Sequence, residues 1–172
     1  MTPPPFRVLV LCTGNSARSQ IGEALFTVRG AARVGGTVEA ESAGSRPASR
    51  VNPFAIEVLA AHGIAWGART PKHVDDVMAH PFDLAITVCD NARDACPIFP
   101  NARAHVHWGL PDPADFEEPE AARRAFAQTF ASLSARIDAL LALPLASMSP
   151  AEISGAAAAI HAAESSHDGE HA

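Results

Sequence analysis

Apolar residues fall along this chain first in short runs and then in helical stripes. Phe6 to Leu11 is apolar except for Arg7, the pattern of a central parallel strand covered on both faces, and the run ends at Cys12. From about Arg18 to Arg33 the period changes. Ile21, Ala24, Leu25 and Val28 recur at helical spacing until Gly35-Gly36 breaks the pattern. Val38 to Ser42 alternates weakly, as an edge-side strand closed by Ala43-Gly44. Asn52 as N-cap and Pro53 at the first helical position open a second helix, with Ile56, Leu59 and Ala60 facing inward and Gly63 ending it. Lys72 to His80 reads as a short helix stopped by Pro81.

Phe82 to Val88 predicts a third strand with Cys89 at its tip. Asp90 to Cys96 is polar and compatible with one or two helical turns, and Ala102 to His107 predicts a fourth strand. Trp108 to Pro113 is a loop. Phe126, Phe130, Leu133, Ile137, Leu140 and Leu141 then mark a long helix from about Pro119 to Leu143, ended by Pro144. Beyond it, Ser149-Pro-Ala-Glu152 has the form of a capping box, Ala156 to Ala163 is helix-prone, and Ser165 to Ala172 reads as a disordered tail. The expected division is a domain over residues 1–144 and an extension, helix plus tail, over 145–172.

Strands alternating with helices imply an α/β fold: a four-stranded parallel sheet flanked by helices and joined by right-handed crossovers. Ligands of such sheets bind at the carboxyl ends of the strands. Cys12, Cys89 and Asp112 all fall at that edge.

Composition narrows the chemistry. The chain has 172 residues, 48% of them apolar, enough for one domain with a substantial core. A net charge of −6 without a basic cluster argues against nucleic acid and anionic membranes as partners. No run is long enough to span a bilayer, and Met1 to Arg7 lacks the features of a signal peptide. Three cysteines in such a chain point to a reducing, cytoplasmic setting with catalytic or inert thiols. His161, His167 and His171 match no standard metal spacing, and His105 and His107 share a strand face without an evident third ligand, so no metal is expected.

The most telling stretch is Cys12-Thr13-Gly14-Asn15-Ser16-Ala17-Arg18-Ser19. It brings a thiol to a strand tip, follows it with small residues and ends at a helix N-terminus. Loop amides and the first helical turn form a cup for a tetrahedral oxyanion. Gly14 permits positive φ, and Asn15 tolerates it. Arg18 adds a planar fork of donors, and the positive field favours the Cys12 thiolate, to which Ser19 can also donate. Asp112, held between prolines, can protonate a leaving oxygen. On one intact helix Cys89 and Cys96 would be about 10.5 Å apart, too far for a disulfide. A bridge between them therefore requires residues 90–95 to loop out. Without that, Cys89 is a core residue and Cys96 a surface thiol.

Taken together, Cys12-Thr-Gly-Asn-Ser-Ala-Arg-Ser-Gln20, Glu41-Ser-Ala-Gly44, Val51-Asn-Pro53, His62-Gly-Ile64, Val88-Cys-Asp-Asn, Cys96-Pro-Ile-Phe-Pro100 and His107-Trp-Gly-Leu-Pro-Asp-Pro113 resemble the thioredoxin-coupled arsenate reductases. Those enzymes share the fold of the low-molecular-weight tyrosine phosphatases. The resemblance implies that Cys12 is the nucleophile and that Thr13 to Ser19 bind arsenate. It makes Asp112 the general acid and Cys89 and Cys96 a disulfide relay. It further implies a monomer without metal or organic cofactor, recycled by thioredoxin, with glutaredoxin and glutathione as the other possible donor. The alternative is a phosphatase acting on phosphomonoesters. Against phosphotyrosine stands the absence of Tyr and of an aromatic residue directly after Asp112-Pro113. Where such enzymes often carry another Cys this chain has Ala17. Lys72 lies where some relatives place a carboxylate beside a potassium ion, so its ammonium is expected to replace that cation.

Overall fold

The computed structural model describes residues 4–90 and 99–170, the last two of these by backbone alone. The central element, β1 (Phe6–Cys12), lies between β2 (Val38–Gly44) and β3 (Phe82–Thr87), and β4 (Ala102–His107) completes a sheet of order β2-β1-β3-β4. All pairs are parallel. The unbroken apolar run of β1 is what two-sided burial requires: Val8 to Cys12 are all buried.

The register brings functional positions together. Cys12 pairs with Gly44 on β2, Leu11 pairs with Thr87 on β3, and Thr87 pairs with His107 on β4. Three backbone bonds continue the ladder past the strand ends: Val88 N to Leu11 O, Trp108 N to Thr87 O, and Leu110 N to Val88 O. They tie the chain before Asp112 to the ends of β1 and β3.

The helices are α1 (Arg18–Ala31), α2 (Pro53–Ala61), α3 (Pro119–Leu141) and α4 (Pro150–Glu170). Buried residues of all four join one core with Val8, Val10, Cys12, Leu84, Ile86 and Val88. The opposite face of the sheet, with Leu9, Leu11 and Ala85, is covered more thinly by Val74, Val77 and Phe99.

Local signals work as read at two helix starts. Asn52 accepts from Phe54 N ahead of Pro53, and Ser149 and Glu152 form the reciprocal capping box of α4. Other expectations differ. Val28 and Ala60, expected on the inner stripes of α1 and α2, are exposed. Lys72–His80 is not an α-helix; only a 3-10 turn forms over Val74–Val77. The cause is tertiary: Lys72 N donates to the Asn15 side chain and Lys72 O accepts from Gly44 N, which commits this backbone to the loop after β1. The residues from Ser165 read as a disordered tail continue α4 as far as Glu170. Their anchor is Arg136, wholly buried on α3, which donates to His161 Nδ1, Ser165 Oγ and Asp168 Oδ2 at 3.1, 3.2 and 3.0 Å. Lastly, the left-handed residue of the loop is Asn15, at φ 49°, and Gly14 takes no positive φ.

The extension is part of the main core. Ile153 and Ala157 are buried in it, and the indole N–H of fully buried Trp108 donates to Ala157 O at 2.9 Å. Burial of an Ile side chain alone contributes about 1.5–3 kcal/mol.

Candidate active site

The sheet delivers Cys12 to the end of β1, and the chain turns at once into α1. The N-cap of α1 is Ala17, which makes no side-chain cap, and the first turn holds no acidic residue. The N–H groups that a Ser or Asp cap would otherwise occupy are therefore available to an anion. The loop is fastened by its carbonyls: Thr13, Gly14 and Ser16 accept from the amides of Arg46, Ala48 and Asn52, each at 2.9 Å. Gly44 permits the close approach of β2, since a Cβ there would sit 2.4 Å from Thr13 O and 2.9 Å from Cys12 O.

Asn15 holds the loop in shape. Its Nδ2 donates to Ser19 Oγ at 2.8 Å and Ser42 Oγ at 2.9 Å. Its Oδ1 accepts from Gln20 Nε2 at 3.1 Å and Lys72 N at 2.9 Å. Both donors and the acceptor are thus used, which stabilises a conformation unfavourable for a non-glycine residue. Ser19 Oγ lies 2.8 Å from Cys12 Sγ. Because that oxygen already accepts from Asn15, its proton can be given to the sulfur. Cys12 is a buried free thiol.

The contacts behind Asn15 continue through Ser42. Ser42 donates to Glu23 Oε1 at 2.7 Å, and Glu23 Oε2 meets Arg69 Nη1 at 3.1 Å. Burial raises the Glu23 carboxyl above its ordinary range, opposed by the Ser42 hydrogen bond and the charges of Lys72 and Arg69. The Arg69 guanidinium lies over the Trp66 ring at 3.9 Å, and Trp66 Nε1 donates to Gln20 Oε1. Lys72 Nζ pairs with Glu41 at 3.2 Å, so the cation touching Glu23 is Arg69. Burial acts to raise the Glu41 carboxyl, but hydrogen bonds from His80 and Lys72 and their charges hold it below the usual value.

Arg18 is buried, with Nη1 donating to Leu110 O at 2.9 Å and Nη2 lying 3.5 Å from Asp112 Oδ2. Asp112 Oδ1 accepts from Ala114 N at 2.9 Å, which fixes the carboxyl group at the start of a short turn. Cys12, its loop, Arg18 and Asp112 thus share one edge of the sheet, as their positions along the chain indicated.

Cys89 is buried and disulfide-bonded. Were β3 extended by two residues, its Cα would lie about 6 Å from that of Cys12. Val88 packs in the same cluster as Cys12, and Cys89 follows it in a bend past the end of β3. To meet Cys12, Cys89 must exchange its present bond. Cys96 and most of the expected looping segment lie outside the described residues.

Sequence reading missed the roles of Ser42, Glu23, Trp66 and Arg69. One signal was present: Ser42-Ala-Gly44 ends a strand parallel to β1 and so falls at the same edge. Among the described residues no cluster of three or more metal-ligating side chains occurs, and no helix is long and apolar enough to cross a membrane.

Comparison with known proteins gives a consistent set of likenesses. Residues 7–150 match the family described as low molecular weight phosphotyrosine protein phosphatase. An arsenate reductase of Halalkalibacterium halodurans is 37% identical over 110 residues, 64% of this chain and 76% of the relative. One from Bacillus licheniformis is 36% identical over 121 residues, 70% of this chain and 84% of its own. The crystal structure of an arsenate reductase from Archaeoglobus fulgidus superposes with a TM-score of 0.60 at 31% identity, covering 76% of this chain and 98% of that one. A thioredoxin-dependent arsenate reductase of Corynebacterium glutamicum gives 0.54 at 29% identity, covering 80% and 64%.

Proposed function

We propose that this chain, which belongs to the low molecular weight phosphotyrosine protein phosphatase family, reduces arsenate to arsenite through a three-cysteine relay recycled by thioredoxin. The observation that supports this reading is a second cysteine, Cys89, one residue past Val88, whose N–H donates to Leu11 O at the end of β1; hydrolysis alone has no use for it. The arsenate reductase relatives support the choice of substrate, and the thioredoxin-dependent neighbour supports the choice of donor.

In this mechanism arsenate sits in the cup of loop amides with two oxygens on the Arg18 fork. The Cys12 thiolate attacks As(V), and Asp112 donates a proton as one oxygen leaves as water. Cys89 attacks the Cys12 sulfur. The sulfur–arsenic bond breaks with its electron pair going to arsenic, which departs as arsenite and leaves a Cys12–Cys89 disulfide. Cys96 then attacks Cys89, moving the disulfide to Cys89–Cys96 and restoring the Cys12 thiol. A thioredoxin dithiol reduces the bridge by exchange. The cycle uses no metal or organic cofactor and suits the cytoplasm, where such a donor is available.

The test is arsenate-dependent NADPH oxidation with thioredoxin and thioredoxin reductase. Cys12→Ser, Cys89→Ser and Cys96→Ser should each abolish turnover, while the latter two leave Cys12 open to alkylation. A fully active Cys96→Ser protein overturns the relay. Substituting glutaredoxin and glutathione identifies the donor.

A further inference from the structure

The relay needs Cys89 as a thiolate, yet the anion cup is built around Cys12. Next to Cys89 stands His107, the half-buried last residue of β4, whose Nδ1 lies 2.7 Å from Thr87 Oγ1. Its Nε2 points into the space between Gly109 and the end of β3. A Cβ built on Gly109 would lie 2.6 Å from His107 Nε2 and 3.3 Å from Cys89 O, so those two atoms are themselves less than 6 Å apart. His107 also lines a cavity of about 240 Å³ with Leu11, Thr87, Phe99 and His105, on the Leu11 side of the sheet. That face carries the thinner cover.

Resting on the relay reading above, we propose that His107 is the proton acceptor for the Cys89 thiol. With Nδ1–H donating to Thr87 Oγ1, Nε2 holds a lone pair toward the Cys89 end of β3. It takes the thiol proton and becomes imidazolium. The Cys89 thiolate attacks the Cys12 sulfur, the sulfur–arsenic bond breaks, and arsenic gains the electron pair that the two sulfurs give up in forming their disulfide. When the Cys89-containing disulfide is later reduced, the imidazolium returns its proton to the departing Cys89 thiolate. The titratable residues near His107 are Cys89 past the end of β3, His105 from its own strand, and His161 from α4, on which the His107 charge acts.

The experiment follows alkylation of each cysteine in the fully reduced protein by iodoacetamide, with peptide mass spectrometry, across pH. His107→Gln should move the half-alkylation point of Cys89 upward by about one pH unit, which is about tenfold in thiolate below it. Cys12 alkylation and hydrolysis of p-nitrophenyl phosphate should not change. Gly109→Ala, which displaces the ring without altering its chemistry, should shift Cys89 in the same direction. Single-turnover arsenite release should slow about tenfold in both variants. An unshifted Cys89 profile in both overturns the proposal, and does so even if Cys96→Ser shows the relay itself to operate. A relay that fails that Cys96→Ser test while His107→Gln still shifts Cys89 leaves His107 as the Cys89 base and removes only the arsenate step.

Discussion

Replacing Ser42 with Ala tests the chain of contacts that shapes the anion loop. Ser42 is wholly buried and bridges Asn15 Nδ2 at 2.9 Å to Glu23 Oε1 at 2.7 Å. The neutral bond contributes about 1 kcal/mol and the bond to a carboxylate about 1.5–3, so the variant should lose roughly 3 kcal/mol near pH 8. For a chain of this size that lowers Tm by about 6–12 °C. The loss should depend on pH. Burial raises the folded-state value of Glu23 above 4.5, so from 4.5 upward through that raised value the unfolded state releases its proton first, and stability falls as pH rises. Ser42→Ala removes a contact that favours the carboxylate and so widens this window. Its deficit should shrink to about 2 kcal/mol toward pH 4.5, as the carboxyl gains its proton and both lost bonds become neutral ones. Urea denaturation at both pH values measures this, and adding Glu23→Gln to the variant should remove the pH dependence. Equal deficits at the two pH values would refute the assignment of Glu23 as the buried titrating partner. Loosening of Asn15 should also lower kcat/KM for arsenate by about tenfold, or roughly 1.4 kcal/mol.

Two further outcomes follow from individual side chains. Asp112→Asn keeps the turn but removes the proton, and should lower kcat for arsenate and for p-nitrophenyl phosphate by about a hundredfold with Cys12 alkylation preserved. His161 is held below its ordinary value first by burial and then by Arg136 and His107, so its unfolded form protonates first as pH falls past 6.5 and stability declines with acid. His161→Gln should flatten the Tm profile between pH 5 and 7.5, and an unchanged slope would remove His161 as its cause.

The sequence was most informative where one residue's chemistry acts locally. The Asn52-Pro53 start of α2, the Ser149–Glu152 box of α4, the apolar run of β1 and the stripe of α3 each depend on neighbours within a few positions. So does the thiol–loop–Arg18 cup, because loop amides and a helix N-terminus bind anions through the backbone itself. Cys12 and Asp112 were placed at one edge by the rule that parallel strands present their carboxyl ends together.

Tertiary contacts decided the rest. Lys72 to His80 has a helical pattern, yet Asn15 and Gly44 claim the backbone of Lys72, a contact across 57 positions to Asn15 that no local period encodes. Ser165 to Glu170 has the composition of a tail, but a buried guanidinium on α3 provides partners that outweigh the entropy of fraying. The Ser42–Glu23–Arg69 chain behind Asn15 joins β2, α1 and the segment after α2, and none of its members carries a signature alone. The neighbourhood of Thr87 and His107 depends on strand register, where a one-residue step reverses the side of the sheet, and it became legible only when β3 and β4 were set side by side.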